Sequence, residues 1–171
     1  MVSIYIIHNS VVFEPILLET ATVTWVRAGQ PGKLTFKCQF ALTTEPSLGD
    51  PVKVLINGES FFYGFIFDIV PDGVALSITA YDQLRYLKNK DSYSFTSSTA
   101  SLIVKTIAED FGLIYGDIED TECLIPDRVE ENTELLDMIQ NALDATLNKA
   151  DEIYVLFDAC GKLTLKNIEN M

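Results

Sequence analysis

A chain of 171 residues, 48% of them hydrophobic, is long enough for one sizeable domain or two small ones with a real core. Its net charge of −13, from 25 acids against 12 bases, suits it poorly to phosphate backbones, which are gripped by Lys and Arg that displace counterions. No apolar run approaches the roughly 18–20 residues of a membrane span, and the start MVSIYIIHNSVVFEP lacks the basic region of a signal peptide; neither membrane insertion nor nucleic-acid binding is expected.

Residues 4–7 form a short apolar run closed by Asn9-Ser10, a first strand. Residues 11–18 give a second, which Pro15 confines to an edge or a bulge. Two alternating strands follow. Over 20–27 Ala21, Val23 and Trp25 oppose Thr22 and Thr24; over 33–40 Leu34, Phe36, Cys38 and Phe40 oppose Lys33, Thr35, Lys37 and Gln39. Gly29-Gln30-Pro31-Gly32 turns one into the other, and 42–51 is a polar loop.

The stretch 52–82 reads as three antiparallel strands, with Asn57-Gly58 and Asp72-Gly73 supplying the positive φ that tight hairpins require. In its middle strand the odd residues Phe61, Tyr63, Phe65, Phe67 and Ile69 are all apolar or aromatic. Phe62, Gly64, Ile66 and Asp68 are mixed, so the odd face is expected to be core.

After Tyr81-Asp82 the period changes. Gln83–Lys88 reads as a helical turn and Lys90–Phe95 as an extended link. Ser98 or Thr99 caps a helix carrying Ala100, Ile103, Val104, Ile107 and Phe111, stopped by Gly112. Residues 113–115 are strand-like and 116–131 an acidic loop. Asn132 or Thr133 caps a second helix with Leu135, Ile139, Ala142, Leu143 and Thr146 on one face. A hairpin over 153–157 and 163–165 ends the chain. The expected fold class is α+β: a mainly antiparallel β-barrel over 1–82, a linker over 83–97, and a smaller two-helix plus β-hairpin subdomain over 98–171.

Charge follows this division. Residues 1–96 carry nine acids and seven bases, whereas 109–152 carry fourteen acids against Arg128 and Lys149. The β part is near neutral and the helical part strongly acidic.

Candidate chemistry is sparse. His8 is the sole histidine, with no marked nucleophile, and reads as a surface or turn residue. In the run Asp117, Glu119, Asp120, Glu122 a calcium-loop register starting at Asp117 puts Glu122 where glycine is needed and Arg128 where the bidentate glutamate is needed. A solvated acidic loop is the better account. Nothing selects Asp68 with Asp72, or Glu130 with Glu131, as a glycosidase pair, because neither has a visible source of a raised pKa. Cys38, Cys123 and Cys160 are odd in number and lack a CxxC, and are expected to be buried or incidental thiols. No catalytic residue, cofactor or metal is therefore expected.

The segments INGESFFYGFIFDI, ITAYDQLRYLKNKDSYSF, TASLIVKTIAEDFGL and RVEENTELLDMIQNALDATLNKADEIYVLFDACGKLTLKNIENM resemble a known family. It is that of the baseplate hub proteins of contractile-tailed phages and defective prophages, in their N-terminal half. The branch it resembles is that of the XkdQ/YqbQ-like tail proteins of Gram-positive prophages, related to the late-control gene D group and the hub part of secretion-system spikes. The resemblance implies a non-enzymatic structural protein of the tail particle, assembled in the bacterial host cytoplasm. Its barrel would be tube-like, and its partners would be the tail tube subunit, the spike and other baseplate proteins. Hubs of this kind bring two barrels per protomer and act as trimers. The sequence reaches only Met171, so this chain alone is expected to be a monomer or weak oligomer. A carbohydrate- or wall-binding module, with Phe62 and Ile66 exposed in a groove, is the competing expectation, and a wall hydrolase a third.

Overall fold

The computed structural model describes residues 1–26, 29–39 and 45–171. Contacts divide the chain into two units: one holds Met1–Val26 and Pro31–Asp82, the other Arg27–Gln30 and Gln83–Met171. Arg27, Phe40 and the first residues of the expected 42–51 loop lie outside the described residues.

The first unit consists of β1 (Val2–His8), β2 (Val11–Phe13), β3 (Ile16–Leu17), β4 (Thr22–Thr24), β5 (Lys33–Gln39), β6 (Pro51–Ile56), β7 (Glu59–Asp72) and β8 (Ala75–Tyr81). All pair antiparallel in the order β2-β1-β6-β7-β8-β5-β3, with β4 also on β5. The two end strands are separated in sequence by Glu14 and Pro15 alone, so the sheet curls until its ends meet at that link. Pro15 is buried at the corner, where its missing N–H costs no ladder bond. Asn57 and Gly58 both take positive φ (53° and 87°), the backbone of a two-residue hairpin turn.

Inside the curl lie Ile4, Ile6, Leu34, Phe36, Cys38, Val52, Val54, Phe62, Ile66, Ile78 and Ala80. The even face of β5 is core, as its alternation predicts, and Ala21 and Val23 pack against it; Trp25 is instead half exposed. The face of β7 is the reverse of the expectation. Phe62 and Ile66 are buried, Phe61 is 40% exposed, and Tyr63, Phe65 and Phe67 are only half-buried.

Register explains the reversal. Phe62 and Gly64 stand opposite Val54 and Val52, and Ile66 opposite Ala80, all on the inner face. Gly64 looked like an outward position because it has no side chain, yet it is buried: a Cβ there would lie 2.3 Å from the Tyr81 carbonyl oxygen. Two bulges complete the picture. The register shifts between the pairs Leu55–Ser60 and Val54–Phe62, at Phe61, and between Ile66–Ala80 and Asp68–Thr79, at Phe67. One extra residue flips the parity of a strand, so Ile69, beyond the second bulge, packs against the core while Asp68 faces out.

The second unit contains a 3-10 turn (Gln83–Lys88), β9 (Lys90–Phe95), α1 (Ala100–Asp110), β10 (Tyr115–Ile118), β11 (Arg128–Glu134), α2 (Leu135–Ala150), β12 (Tyr154–Asp158), β13 (Leu163–Asn167) and a last 3-10 turn (Ile168–Asn170). β13 lies between parallel β10 and antiparallel β12, and β9 pairs with β11 in a separate ribbon.

The stretch 83–97 is not a linker in this structure. Leu84, Leu87 and Phe95 belong to the second unit's core, with Ile103, Val104 and Ile107 of α1 and Leu135, Ile139 and Leu143 of α2. Gln83 is buried as well: its side chain donates to the carbonyls of Gly161 (2.6 Å) and Ile114 (3.2 Å) and accepts from the Ile114 N–H (2.9 Å).

Thr99 caps α1, its hydroxyl accepting from the Leu102 N–H at 3.2 Å, and Gly112 follows the helix with φ 62°. For α2 the expected cap is corrected. Asn132 and Thr133 belong to β11, and Glu134 occupies the capping position without a side-chain bond, since the strand runs straight into the helix.

Candidate interaction surfaces

Polar side chains with catalytic potential are committed to local fastening. His8 has Nδ1 2.8 Å from Asp50 Oδ2 and Nε2 2.8 Å from Asn9 Nδ2. Both ring nitrogens are thus engaged in local hydrogen bonds whose direction follows the tautomer. Asp50 also accepts from the Ser47 N–H at 2.6 Å, which makes this cluster a loop clamp.

The acidic run is spent in the same way. Asp117 pairs with Lys166, Glu119 accepts from the Asn167 N–H (3.0 Å), and Asp120 accepts from the Ser101 hydroxyl (2.9 Å) and the Glu122 N–H (3.0 Å). Those two bonds hold the Asp120 carboxyl below its usual range. Among the described residues no group of three His, Cys, Asp or Glu side chains is placed to hold a metal ion.

The carboxylates considered for glycoside chemistry also fail to form pairs. Asp72 bonds Lys37 at 2.5 Å, an interaction that lowers its pKa, whereas Asp68 stands opposite Thr79. Glu130 lies 3.8 Å from the Arg128 Nε, and Glu131 is exposed on the strand. A glycosidase acid needs its pKa raised. Of the thiols, Cys38 is buried and pushed up to about 12 by desolvation, which makes it a poor nucleophile. Cys160 is exposed and Cys123 intermediate.

What the first unit does offer is apolar surface along its closing line. Val11, Val12, Ile16, Leu17 and Leu18 are all exposed, by 37% to 65%. β2 pairs with β1 alone and β3 with β5 alone among the described residues, so unpaired main chain lies beside these side chains. Nearby in type, Trp25 and Phe61 remain half exposed and meet edge-to-face at 4.9 Å. Exposed apolar groups along an open strand edge are suited to docking another chain. The sequence signal was VVFEPILL, apolar at successive positions where a strand buried on one face would alternate. Phe62 and Ile66, expected in an exposed groove if the chain bound carbohydrate, are in the core.

Comparison with known proteins agrees with this architecture. A family model, YqbQ-like, matches residues 21–171. The chain belongs to the YqbQ-like family. It is 33% identical to the uncharacterized protein YqbQ of Bacillus subtilis (strain 168), over 97% of this chain and 52% of that protein. It is 38% identical to the phage-like element PBSX protein XkdQ of the same organism, over 70% of this chain and 38% of that one. The chain thus spans about half the length of YqbQ and less of XkdQ. In fold it is similar to the 43 kDa tail protein of prophage MuSo2 from Shewanella oneidensis, with a TM-score of 0.68 at 17% identity over 96% of this chain and 54% of that one. The first unit of this chain is an antiparallel β-sheet, and no helix among the described residues is long and apolar enough to cross a membrane.

Proposed function

We propose that this chain is a non-enzymatic structural component of a phage-like contractile tail, a baseplate hub protein that connects the tail tube to the spike within the tail particle. The observation that carries the reading is the first unit: a curled sheet, shared in fold with a prophage tail protein, with an apolar strip and open strand edges along its closing line. Its partners are the tube subunit, the spike and other baseplate proteins, and it binds neither nucleic acid nor membrane. In this reading the first unit makes the tube-like contacts and the second, with its acids, forms a solvated flank. The isolated chain is a monomer or weak oligomer, because second units of like charge repel at low salt.

The test is deletion of the gene from its prophage, followed by induction and electron microscopy. Tubes and spikes that fail to join, restored by the gene in trans, support the role. Complete tails without the protein overturn it. Cleavage of purified peptidoglycan would move the chain to the hydrolase reading, and retention on it without cleavage to the wall-binding one.

A further inference from the structure

Asn57 and Gly58 form the turn between β6 and β7, both exposed and both at positive φ. Theirs is the sole Asn-Gly pair in the sequence. The amide nitrogen that follows an asparagine is a built-in nucleophile, tethered so that attack on the side-chain carbonyl closes a small ring. Gly58 has no Cβ to shield that nitrogen, and the space beside it is open: a Cβ there would meet no atom within 4 Å. Its N–H has no hydrogen-bond partner among the described residues, so no bond resists its rotation or its deprotonation.

The Asn57 side chain is held by its oxygen alone. The Met1 main-chain nitrogen donates to Oδ1 at 2.5 Å, whereas Nδ2 is unbonded among the described residues. A donor on that oxygen polarises the carbonyl and stabilises the negative charge it gains when attacked. Asn9 and Asn132 also stand at positive φ, in different settings. Asn9 precedes Ser10, and its Nδ2 lies 2.8 Å from His8 Nε2. Asn132 precedes Thr133, whose branched side chain crowds the nitrogen. We propose that Asn57 is a site of spontaneous covalent modification, in which the Gly58 nitrogen loses its proton, bonds to Asn57 Cγ and expels Nδ2 as ammonia. Water then opens the succinimide at either carbonyl, giving aspartate or, with one more methylene in the main chain, isoaspartate. No oxidant or reductant takes part, and the turn gains a carboxylate. This goes beyond the tail role and is tested separately from it.

The folded full chain is incubated at about pH 7 and about pH 9 and digested in acid. Each asparagine peptide is then followed by mass spectrometry, with isoaspartate told from aspartate by its enzymatic methylation. Asn57 is expected to convert at least about tenfold faster than Asn9 or Asn132. Conversion should be faster at the higher pH, where the attacking nitrogen loses its proton more readily, and should yield isoaspartate beside aspartate. Gly58→Ala should slow it at least about tenfold while leaving Asn9 unchanged. Gly58→Asn, with a residue that tolerates φ 87°, is the second variant should alanine disturb the hairpin. Conversion of Asn57 no faster than that of Asn9, aspartate without isoaspartate, or an unchanged rate in both variants each overturns the proposal.

Discussion

Replacing Phe62 and Phe61 separately by alanine tests the facing of β7. Phe62 is 2% exposed in the first unit's core, opposite Val54, whereas Phe61 is the bulged residue before it, 40% exposed against Trp25. Emptying a buried phenylalanine site costs about 3–5 kcal/mol, the transfer term plus the cavity left behind. At Phe61 roughly three-fifths of a transfer term of about 1.5–3 kcal/mol is at stake, water fills the space, and the edge-to-face contact adds about 0.5–1.5 kcal/mol. Phe62→Ala should therefore lose about 1–2 kcal/mol more than Phe61→Ala in mid-range. The assay is urea unfolding followed by far-UV circular dichroism, since the sole tryptophan rests on Phe61 and its fluorescence would change for local reasons. With a urea slope of about 1 kcal/mol per molar for so small a unit, the Phe62→Ala midpoint should fall by about 3 M, enough to unfold a marginal unit in water. A larger loss from Phe61→Ala would refute the assigned register, because side chains directly opposite Val54 and Ala80 must share their face.

Gly64→Ala should cost more than about 2 kcal/mol in the same melts, because its Cβ would meet main-chain atoms of Tyr81 at 2.3 and 2.7 Å; near-neutral stability would show that the strands can separate there freely. Leu87→Ala should cost about 2–5 kcal/mol, as its side chain is fully buried, whereas a true linker position would lose almost nothing. Gln83→Ala leaves main-chain groups of Gly161 and Ile114 unpaired, and should cost about 1–3 kcal/mol or more with faster amide exchange at Ile114. Burial, opposed by the Gly161 N–H and Gln83, raises the Asp158 carboxyl above its ordinary value. The native state then holds that proton to higher pH than the unfolded chain, so this group's contribution falls as pH rises from the unfolded value through the folded one, and stays low above it. Asp158→Asn should accordingly flatten that descent in a comparison of stability against pH with the parent chain; an unchanged difference at all pH values would place the carboxyl in water.

Local order was readable wherever one residue type decides the backbone. Asn57-Gly58 had to be a tight turn, Thr99 had a free hydroxyl ahead of an apolar helical stripe, and the alternation over 33–39 admits one inner face. The middle strand was misread because apolarity on both of its faces removes the signal, and the deciding residue, Gly64, is at an inner position for lack of a side chain. Bulges at Phe61 and Phe67 are set by the partner strands, which the sequence of β7 does not contain. The 83–97 stretch hid its role for another reason. Its buried residues, Leu84, Leu87 and Phe95, are too few and too irregularly spaced to announce a helix or a strand, and they become core only when α1 and α2 are present to cover them.

Catalytic chemistry leaves a trace in sequence through residue types, whereas docking leaves one through vacancies. His8, Asp50, Asp117, Glu119, Asp120 and Asp72 each hold a loop, a strand end or a lysine. Satisfying such groups internally removes their desolvation cost but also removes their availability to a substrate. Among the described residues, the unsatisfied surface is main chain and hydrocarbon on the outer sides of β2 and β3 in the first unit. An open edge exists only relative to the strand order of the folded sheet, so no inspection of β2 or β3 by itself would single it out. The apolar residues beside these edges stand out once the order is known, because a monomer gains stability by burying them and here they remain exposed. The near-neutral strip of the first unit suits apolar contact that salt leaves unchanged.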